Sequence, residues 1–404
     1  MTQAVTVQKY SLSWILLLAL LTAIAPLSTD MYLPALPNMA KEYSVSTLLV
    51  SSSLPAYFFG LAIGQLIYGP LSDSIGRKIP LIFGLCLHIV ASILCIYADD
   101  LLSLLAARVL QALGSCVGLV LARAAIRDVL DTHNAAKAFA SMMIVMGVAP
   151  VIAPTLGAWL LLFFHWHAIF GTLTLLGIVS LVWVIFGFKE TLPVERRLKI
   201  SFKHVFQLYL KIFKDPSYRF PMLAGCFSFG VLFCYINVAS TVLMDSYHLN
   251  EQQFAYAFGF NAVGTMFLSA MNHKLGHKYS VLQRLRLGGL VQIAGVFLLL
   301  IASVLPQAGL VVVLAGLFMS VSGIGLTAPN STALAMSKQG RQAGSASALM
   351  GGLQFFFGLL SGLILSFLPW SSLLNLSIAM LIFVICANTA IWASERYFKM
   401  QPAV

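Results

Sequence analysis

Apolar residues along this chain come in runs of roughly 20, cut by short polar or Gly/Pro-containing breaks; such runs exceed what a strand or a water-soluble core helix needs. They predict spans at residues 14–36, 47–68, 80–97, 101–123, 138–163 and 168–187. After a polar interval, six more follow at 219–241, 254–271, 283–304, 308–329, 343–367 and 372–392. A helix needs about 20 apolar residues to cross a hydrocarbon layer of about 30 Å, so twelve crossings use nearly the whole chain. The expected fold is all-α integral membrane, with no separate soluble domain. Lys9 precedes the first run, and Ala23-Ile24-Ala25 resembles a leader-cleavage site. Pro26 follows at once and the apolar pattern continues past Asp30, so the run is read as a retained first span.

Composition agrees: the 404 residues are 60% hydrophobic and 9% charged, which no water-soluble domain of this length tolerates on its surface. The formal charge of +11 raises the question of a nucleic-acid partner, and position answers it. With the N-terminus inside, 18 of the 24 Lys and Arg fall in cytoplasmic segments and the outer loops hold only Lys41. Both termini are therefore expected in the cytoplasm, the basic residues are topological, and no nucleic acid is expected. Arg123, Arg219, Arg284 and Arg286 lie close enough to inner helix ends to snorkel, whereas Arg108 sits deep.

The interval 188–218 divides the chain into halves at 1–187 and 219–404 and carries seven Lys or Arg. Phe202, Val205, Phe206, Tyr209, Ile212 and Phe213 fall on one helical face, with Lys203, Lys211 and Lys214 elsewhere. That pattern predicts an amphipathic helix on the cytoplasmic leaflet, with membrane lipid as its partner, acting as a tether or as a regulatory element. Ile75-Gly76-Arg77-Lys78 is echoed 200 residues later by Leu275-Gly276-His277-Lys278. Two parallel six-helix halves place a binding site between them near the midplane.

Asp30 is the sole carboxylate within any predicted span and Arg108 the sole deep base; burying either costs about 3 kcal/mol, so each is a functional candidate. At 1.5 Å per residue both lie about 10 Å below the outer surface, where they can face each other or share a polar cavity. Such an acid either loads and releases a proton as its access to water alternates or forms a static ion pair clamping two helices. The six cysteines (Cys86, Cys95, Cys116, Cys226, Cys234 and Cys386) lie in apolar stretches without a C-x-x-C pair and read as packing residues. His273 with His277, and His165 with His167, read as solvated loop pairs, so no metal and no cofactor is expected. A membrane enzyme needs several nucleophiles, carboxylates or ligands at one depth, and one acid with one base does not supply them.

At the inner end of the second span, Gly69-Pro70-Leu71-Ser72-Asp73-Ser74-Ile75-Gly76-Arg77-Lys78 makes a tight reversal anchored by a basic pair. This decapeptide resembles the signature loop of the major facilitator superfamily. Arg108-Val109-Leu110-Gln111-Ala112-Leu113-Gly114 is similar to that superfamily's arginine-containing proton-transfer motif. Gly147-Val148-Ala149-Pro150 with Ala153-Pro154-Thr155-Leu156-Gly157 resembles its antiporter motif, although Ala149 stands where many antiporters have glycine. The segments 27–37, around Asp30, and Lys189-Glu190-Thr191-Leu192-Pro193 are similar to the Bcr/CflA drug-resistance exporters.

The resemblance implies the major facilitator fold and drug:proton antiport from the bacterial cytoplasm across the inner membrane, by a monomer with protons as coupling ion. It implies that Asp30 carries the proton and Arg108 regulates it. Gly69, Asp73, Gly76, Arg77, Lys78 and Asp128 inherit gating at the cytoplasmic side; Gly147, Pro150, Pro154 and Gly157 would bend a moving helix. The second-half loop, with His273 and His277, implies asymmetric gating. Tyr32, Tyr57, Met146, Phe233, Asn237, Asn261 and Gln354 lie in spans that line the superfamily's cavity and suit lipophilic drugs or metabolites. Proton-coupled uptake of a metabolite, or a membrane-embedded sensor or enzyme, remains the alternative.

Overall fold

The computed structural model describes residues 12–197, 202–305, 307 and 309–400; Lys9, Lys199 and both chain ends, which bear on the expected cytoplasmic termini, lie outside them. Eleven helices among the described residues are long and apolar enough to cross a membrane. They are span 1 (Ser13–Glu42), span 2 (Thr47–Ile75), span 3 (Lys78–Ile96), span 4 (Leu101–Val129) and span 6 (His167–Gly187). The second half supplies span 7 (Pro216–Ser246), span 8 (Glu251–Leu275), span 9 (Val281–Val304), span 10 (Gly309–Met336), span 11 (Ala343–Phe367) and span 12 (Ser372–Lys399). A further helix of 30 residues, Thr132–Leu161, holds the position of span 5.

Polar residues set the helix starts. Asp100 with Ser103, Asn250 with Gln253 and Ser280 with Gln283 form capping boxes that satisfy the free N–H groups of spans 4, 8 and 9. Several helices run further than their apolar stretch predicts. Span 4 extends to Val129 because Arg123, Arg127 and Asp128 occupy its inner turns.

Spans 1 to 6 pack on one another, with span 4 against spans 1, 2 and 3, and spans 7 to 12 do the same with span 7 against spans 10, 11 and 12. Two seams join the groups. Span 2 lies along span 11, where the glycine positions 351, 358 and 362 face Gln65, Phe58 and Pro55. Span 5 lies along span 8, where Gly259 faces Val151, and Gln252 Nε2 donates to the Ala158 carbonyl at 3.3 Å near the outer end. The linker helix Phe202–Lys214 buries Tyr209 and Ile212 against the bundle, and the Tyr209 hydroxyl donates to the Leu66 carbonyl at 3.1 Å. Phe206 and Leu210 remain exposed. The apolar face expected on lipid is therefore divided, part buried against the protein and part exposed.

Candidate functional site

Span 1 is broken at its functional residue. Its first helix runs Leu12–Asp30, a turn follows, then a short 3-10 segment Leu33–Ala35 and a second helix Leu36–Glu42. The turn after Asp30 ends the helical ladder, and Pro34 lacks the N–H that would pair with the Asp30 carbonyl, so carbonyls of the last turn are left to other donors. Arg108 of span 4 supplies one: its Nη1 donates to the Ser28 carbonyl at 2.9 Å.

Arg108 is fully buried, its guanidinium 4.3 Å from the Tyr32 ring centroid and 4.2 Å from that of Tyr57. Such a sandwich stabilises a desolvated cation by about 2 kcal/mol. Nη1 also donates to Gln111 Oε1 at 2.5 Å, and Gln111 Nε2 donates to Ser92 Oγ at 2.8 Å, which ties span 4 to span 3. Arg108 Nε and Nη2 have no hydrogen-bond partner among the described residues. Tyr32 and Tyr57 are held in turn by hydrogen bonds to Ser53 and Ser115 at 2.9 and 2.5 Å.

Asp30 is 4% exposed and, among the described residues, has neither a hydrogen bond nor an ion pair. The two residues, expected at one depth either to face each other or to share a polar cavity, are therefore not paired, and no static ion-pair clamp joins them. Their connection runs through the backbone, because Arg108 holds the carbonyl two residues before Asp30.

Asp30 lines a cavity of about 250 Å³ between the halves. Ala25, Pro26, Thr29, Phe58, Leu61, Met146, Gly147 and Pro150 form one wall; Phe229, Phe233, Tyr235, Phe258, Asn261, Met266 and Phe355 form the other. A second cavity of about 440 Å³ lies at the cytoplasmic end, lined by Gln65, Asp73, Arg77, Arg123, Arg127, Tyr209, Gly344 and Ser345, and Leu119 borders both. Of the seven residues expected to contact substrate, Met146, Phe233 and Asn261 line the central cavity. Tyr32 and Tyr57 instead clamp Arg108. Asn237 Nδ2 donates to Ser361 Oγ at 2.9 Å, joining spans 7 and 11, and Gln354 is half-buried outside the cavity wall. Phe58, Phe229, Tyr235, Phe258 and Phe355 escaped the sequence reading, since composition does not distinguish an aromatic facing a cavity from one facing lipid.

In span 5, Gly147 and Pro150 border the cavity, and Pro154 lies one turn further out within the same helix. Gly157 lies against the Met31 carbonyl of span 1, so any side chain there would collide with backbone at the break beside Asp30.

At the inner end, Arg77 Nε donates to Asp128 Oδ2 at 2.8 Å, while Nη1 donates to Asp73 Oδ1 at 2.6 Å and to Ser72 Oγ at 2.7 Å. Burial disfavours the guanidinium charge, but Asp128 and Asp73 outweigh it and raise the Arg77 pKa. Gly76 turns the chain at φ 95°, in the left-handed region that glycine favours, with Glu190 against the place a side chain would take. Glu190 accepts from the Arg77 and Lys78 backbone N–H groups at 2.8 and 3.2 Å, capping span 3, and Lys78 Nζ donates to the Ile185 carbonyl. Gly69 has open space around it and borders the cytoplasmic cavity. This cluster joins the first half to the start of the 188–218 interval and, among the described residues, takes no side chain from the second half. In the second-half loop, Arg284 Nη1 donates to Asn272 Oδ1 at 3.0 Å and Asn330 Nδ2 donates to the same oxygen at 2.8 Å; the His273 and His277 ring centroids stand 6.1 Å apart.

Residues 18–362 match the family described as Major Facilitator Superfamily. The chain belongs to that superfamily. A Bacillus subtilis relative named "Uncharacterized MFS-type transporter YdgK" is 36% identical over 87% of each chain. A "Bicyclomycin resistance protein homolog" of Haemophilus influenzae is 30% identical over 88% of this chain and 89% of its own. The multidrug resistance protein MdtL of Escherichia coli is 29% identical over 62% of this chain and 63% of its own. Among solved structures, a D-xylose-proton symporter superposes with a TM-score of 0.72 at 12% identity, covering 96% of this chain and 98% of that one; at this identity the likeness speaks for the fold alone. This member of the superfamily is a multi-pass transporter of a bacterial inner membrane and not an enzyme.

Proposed function

We propose that this transporter exports lipophilic, drug-like molecules from the cytoplasm in exchange for protons, by alternating access of the cavity between its halves. The observation that carries the reading is Asp30: a buried carboxylate without a partner among the described residues, on the wall of a mostly apolar cavity. A negative charge there is poorly solvated and stands at the end of a helix, where the backbone dipole disfavours it. A proton removes that cost, and so does exposure to water when the cavity opens. Proton loading from the outside and release on the cytoplasmic side therefore differ in free energy between the two orientations, which is what coupling requires. Arg108 holds the broken backbone beside Asp30 in place, so that the carboxylate keeps its position through the cycle. The rings of Phe58, Phe229, Phe233, Phe258 and Phe355 offer contact area without fixed hydrogen bonds, suited to varied apolar molecules.

The direction of transport rests on the relatives named for bicyclomycin and multidrug resistance, since the fold is shared with a proton symporter. The test is a drug-susceptibility panel in a pump-deficient bacterium expressing the wild-type chain or Asp30→Asn. The wild type is expected to raise tolerance to at least one compound in a protonophore-sensitive manner, and Asp30→Asn to return it to the vector level. Wild-type susceptibility equal to the vector for every compound would reject export; full protonophore-sensitive activity in Asp30→Asn would reject the proton role.

A further inference from the structure

At the outer end of the first half, three side chains outside the transport site converge. Glu42 ends the helix Leu36–Glu42; His165 and His167 flank the turn between spans 5 and 6. His165 Nε2 lies 3.4 Å from Glu42 Oε2, and His167 Nε2 lies 4.0 Å from Glu42 Oε1. One ligand atom from each of the three can be chosen so that all lie within 4.8 Å of one another. We infer that Glu42, His165 and His167 form a binding site for a divalent transition-metal cation, zinc by ligand type, taken from the outer side of the membrane.

Zinc takes nitrogen and oxygen ligands at about 2.0–2.2 Å in a tetrahedron, which sets the ligands roughly 3.4 Å apart. The two Glu42–histidine distances, 3.4 and 4.0 Å to the two carboxylate oxygens, bracket that value from above, so closing the site takes rotation of the histidine rings toward a shared ion. Glu42 is already oriented: the indole Nε1 of Trp166, a ring 1% exposed, donates to Glu42 Oε2 at 2.5 Å, the kind of outer contact that fixes a ligating carboxylate. His165 and His167 share a hydrogen bond between their Nδ1 atoms at 2.6 Å. Ligation through both Nε2 atoms leaves a proton on each Nδ1, so that bond opens as the ion binds; His165, 62% exposed, is free to turn.

Electrostatics favour a cation independently. Glu42 is a carboxylate at a helix C-terminus, where its charge is unfavourable and a bound cation relieves it. The outer segments carry Glu42, Asp99, Asp100, Asp245 and Glu251 against Lys41. Spacing in the sequence conceals the site, because Glu42 is more than a hundred residues from the histidines.

The experiment titrates the purified, tag-free full chain in detergent with zinc against a chromophoric chelator. The wild type is expected to hold one ion, and Glu42→Gln, His165→Asn and His167→Asn each to weaken it at least tenfold with unchanged elution and thermal unfolding. A His273→Asn/His277→Asn variant controls for the inner pair and is expected to bind as the wild type. Equal affinity in the wild type and the exposed His165→Asn, or a loss that follows His273 and His277 instead, overturns the inference.

Discussion

The two halves share an architecture and differ in where they keep charge. Among the described residues, the buried acidic and basic side chains Asp30, Arg77, His88 and Arg108 all belong to the first half, and the buried polar side chains of the second half are neutral amides and hydroxyls. In the first half Arg108 is caged by Tyr32, Tyr57 and Gln111. In the second, Gln292 of span 9 is the corresponding hub: it accepts from Ser228 Oγ at 2.8 Å and donates to the Ser320 carbonyl at 3.2 Å, with Ser228 also bonded to Thr327. The inner loops repeat the contrast, Arg77 with three carboxylates nearby against Arg284 with two asparagines. A charge in a bundle core responds to water and protons, whereas a neutral network only fixes helix rotation. Under the proposed function, the division would assign coupling to the first half and cavity shape to the second.

Exchanging the hubs should break this symmetry most visibly. Arg108→Gln removes a charge-assisted bond to Ser28 and a cation between two rings, a loss of about 3 kcal/mol. We expect transport to fall to background and the thermal midpoint in detergent to drop by several degrees. Gln292→Leu removes neutral bonds for about 1 kcal/mol, and transport should survive at a reduced rate. Comparable loss of transport in both variants, measured by fluorescent-substrate efflux, would end the assignment of coupling to one half.

The inner loops give a smaller contrast. Asp128→Asn leaves Arg77 with one close carboxylate at its guanidinium and loosens the junction of spans 2, 3, 4 and 6. Efflux should slow about tenfold with little change in drug affinity, as befits a conformational step. Arg284→Gln should alter the rate less than about twofold. Efflux rates alongside binding by fluorescence quenching in detergent check both.

What the sequence made legible follows the same line. Asp30 and Arg108 were found because a charge in an apolar run is conspicuous, and the inner cluster because its residues are contiguous. Their partnership was not legible: residue depth gives position along the membrane normal and says nothing of helix rotation, and the proline break turns a carbonyl, not the carboxylate, toward Arg108. The aromatic wall was hidden for a related reason. Phe233 and Phe258 in the cavity and Phe186 and Phe367 on the outer surface sit in equally apolar surroundings. Glu42 and the outer histidines were separated by span after span of chain.

The smallest expected effect concerns pH at the inner junction, where the 188–218 interval meets the first half. Burial would raise the Glu190 carboxyl, but the N–H groups of Arg77, Leu192, Lys78 and Thr191 aim at its oxygens and hold it below the ordinary value of 4.5. A carboxyl whose folded value is depressed contributes stability above its unfolded value, and that contribution is lost as pH falls through the folded one. The cap on span 3 should therefore be intact at neutral pH and weaken only below about pH 4.5. Because Glu190 is part-exposed and near the aqueous surface, solvent screens the contribution and the shift in thermal midpoint should be modest. Glu190→Gln keeps an acceptor oxygen but no charge, so its midpoint should be slightly lower at pH 7 and converge on the wild type at the acid end. Parallel midpoint curves for the two proteins from pH 7 down to about pH 3 would mean that Glu190 acts through its shape alone. The second-half loop offers the control: Asn272 and Asn330 do not titrate, so substituting either with Gln should displace the whole curve without changing its slope.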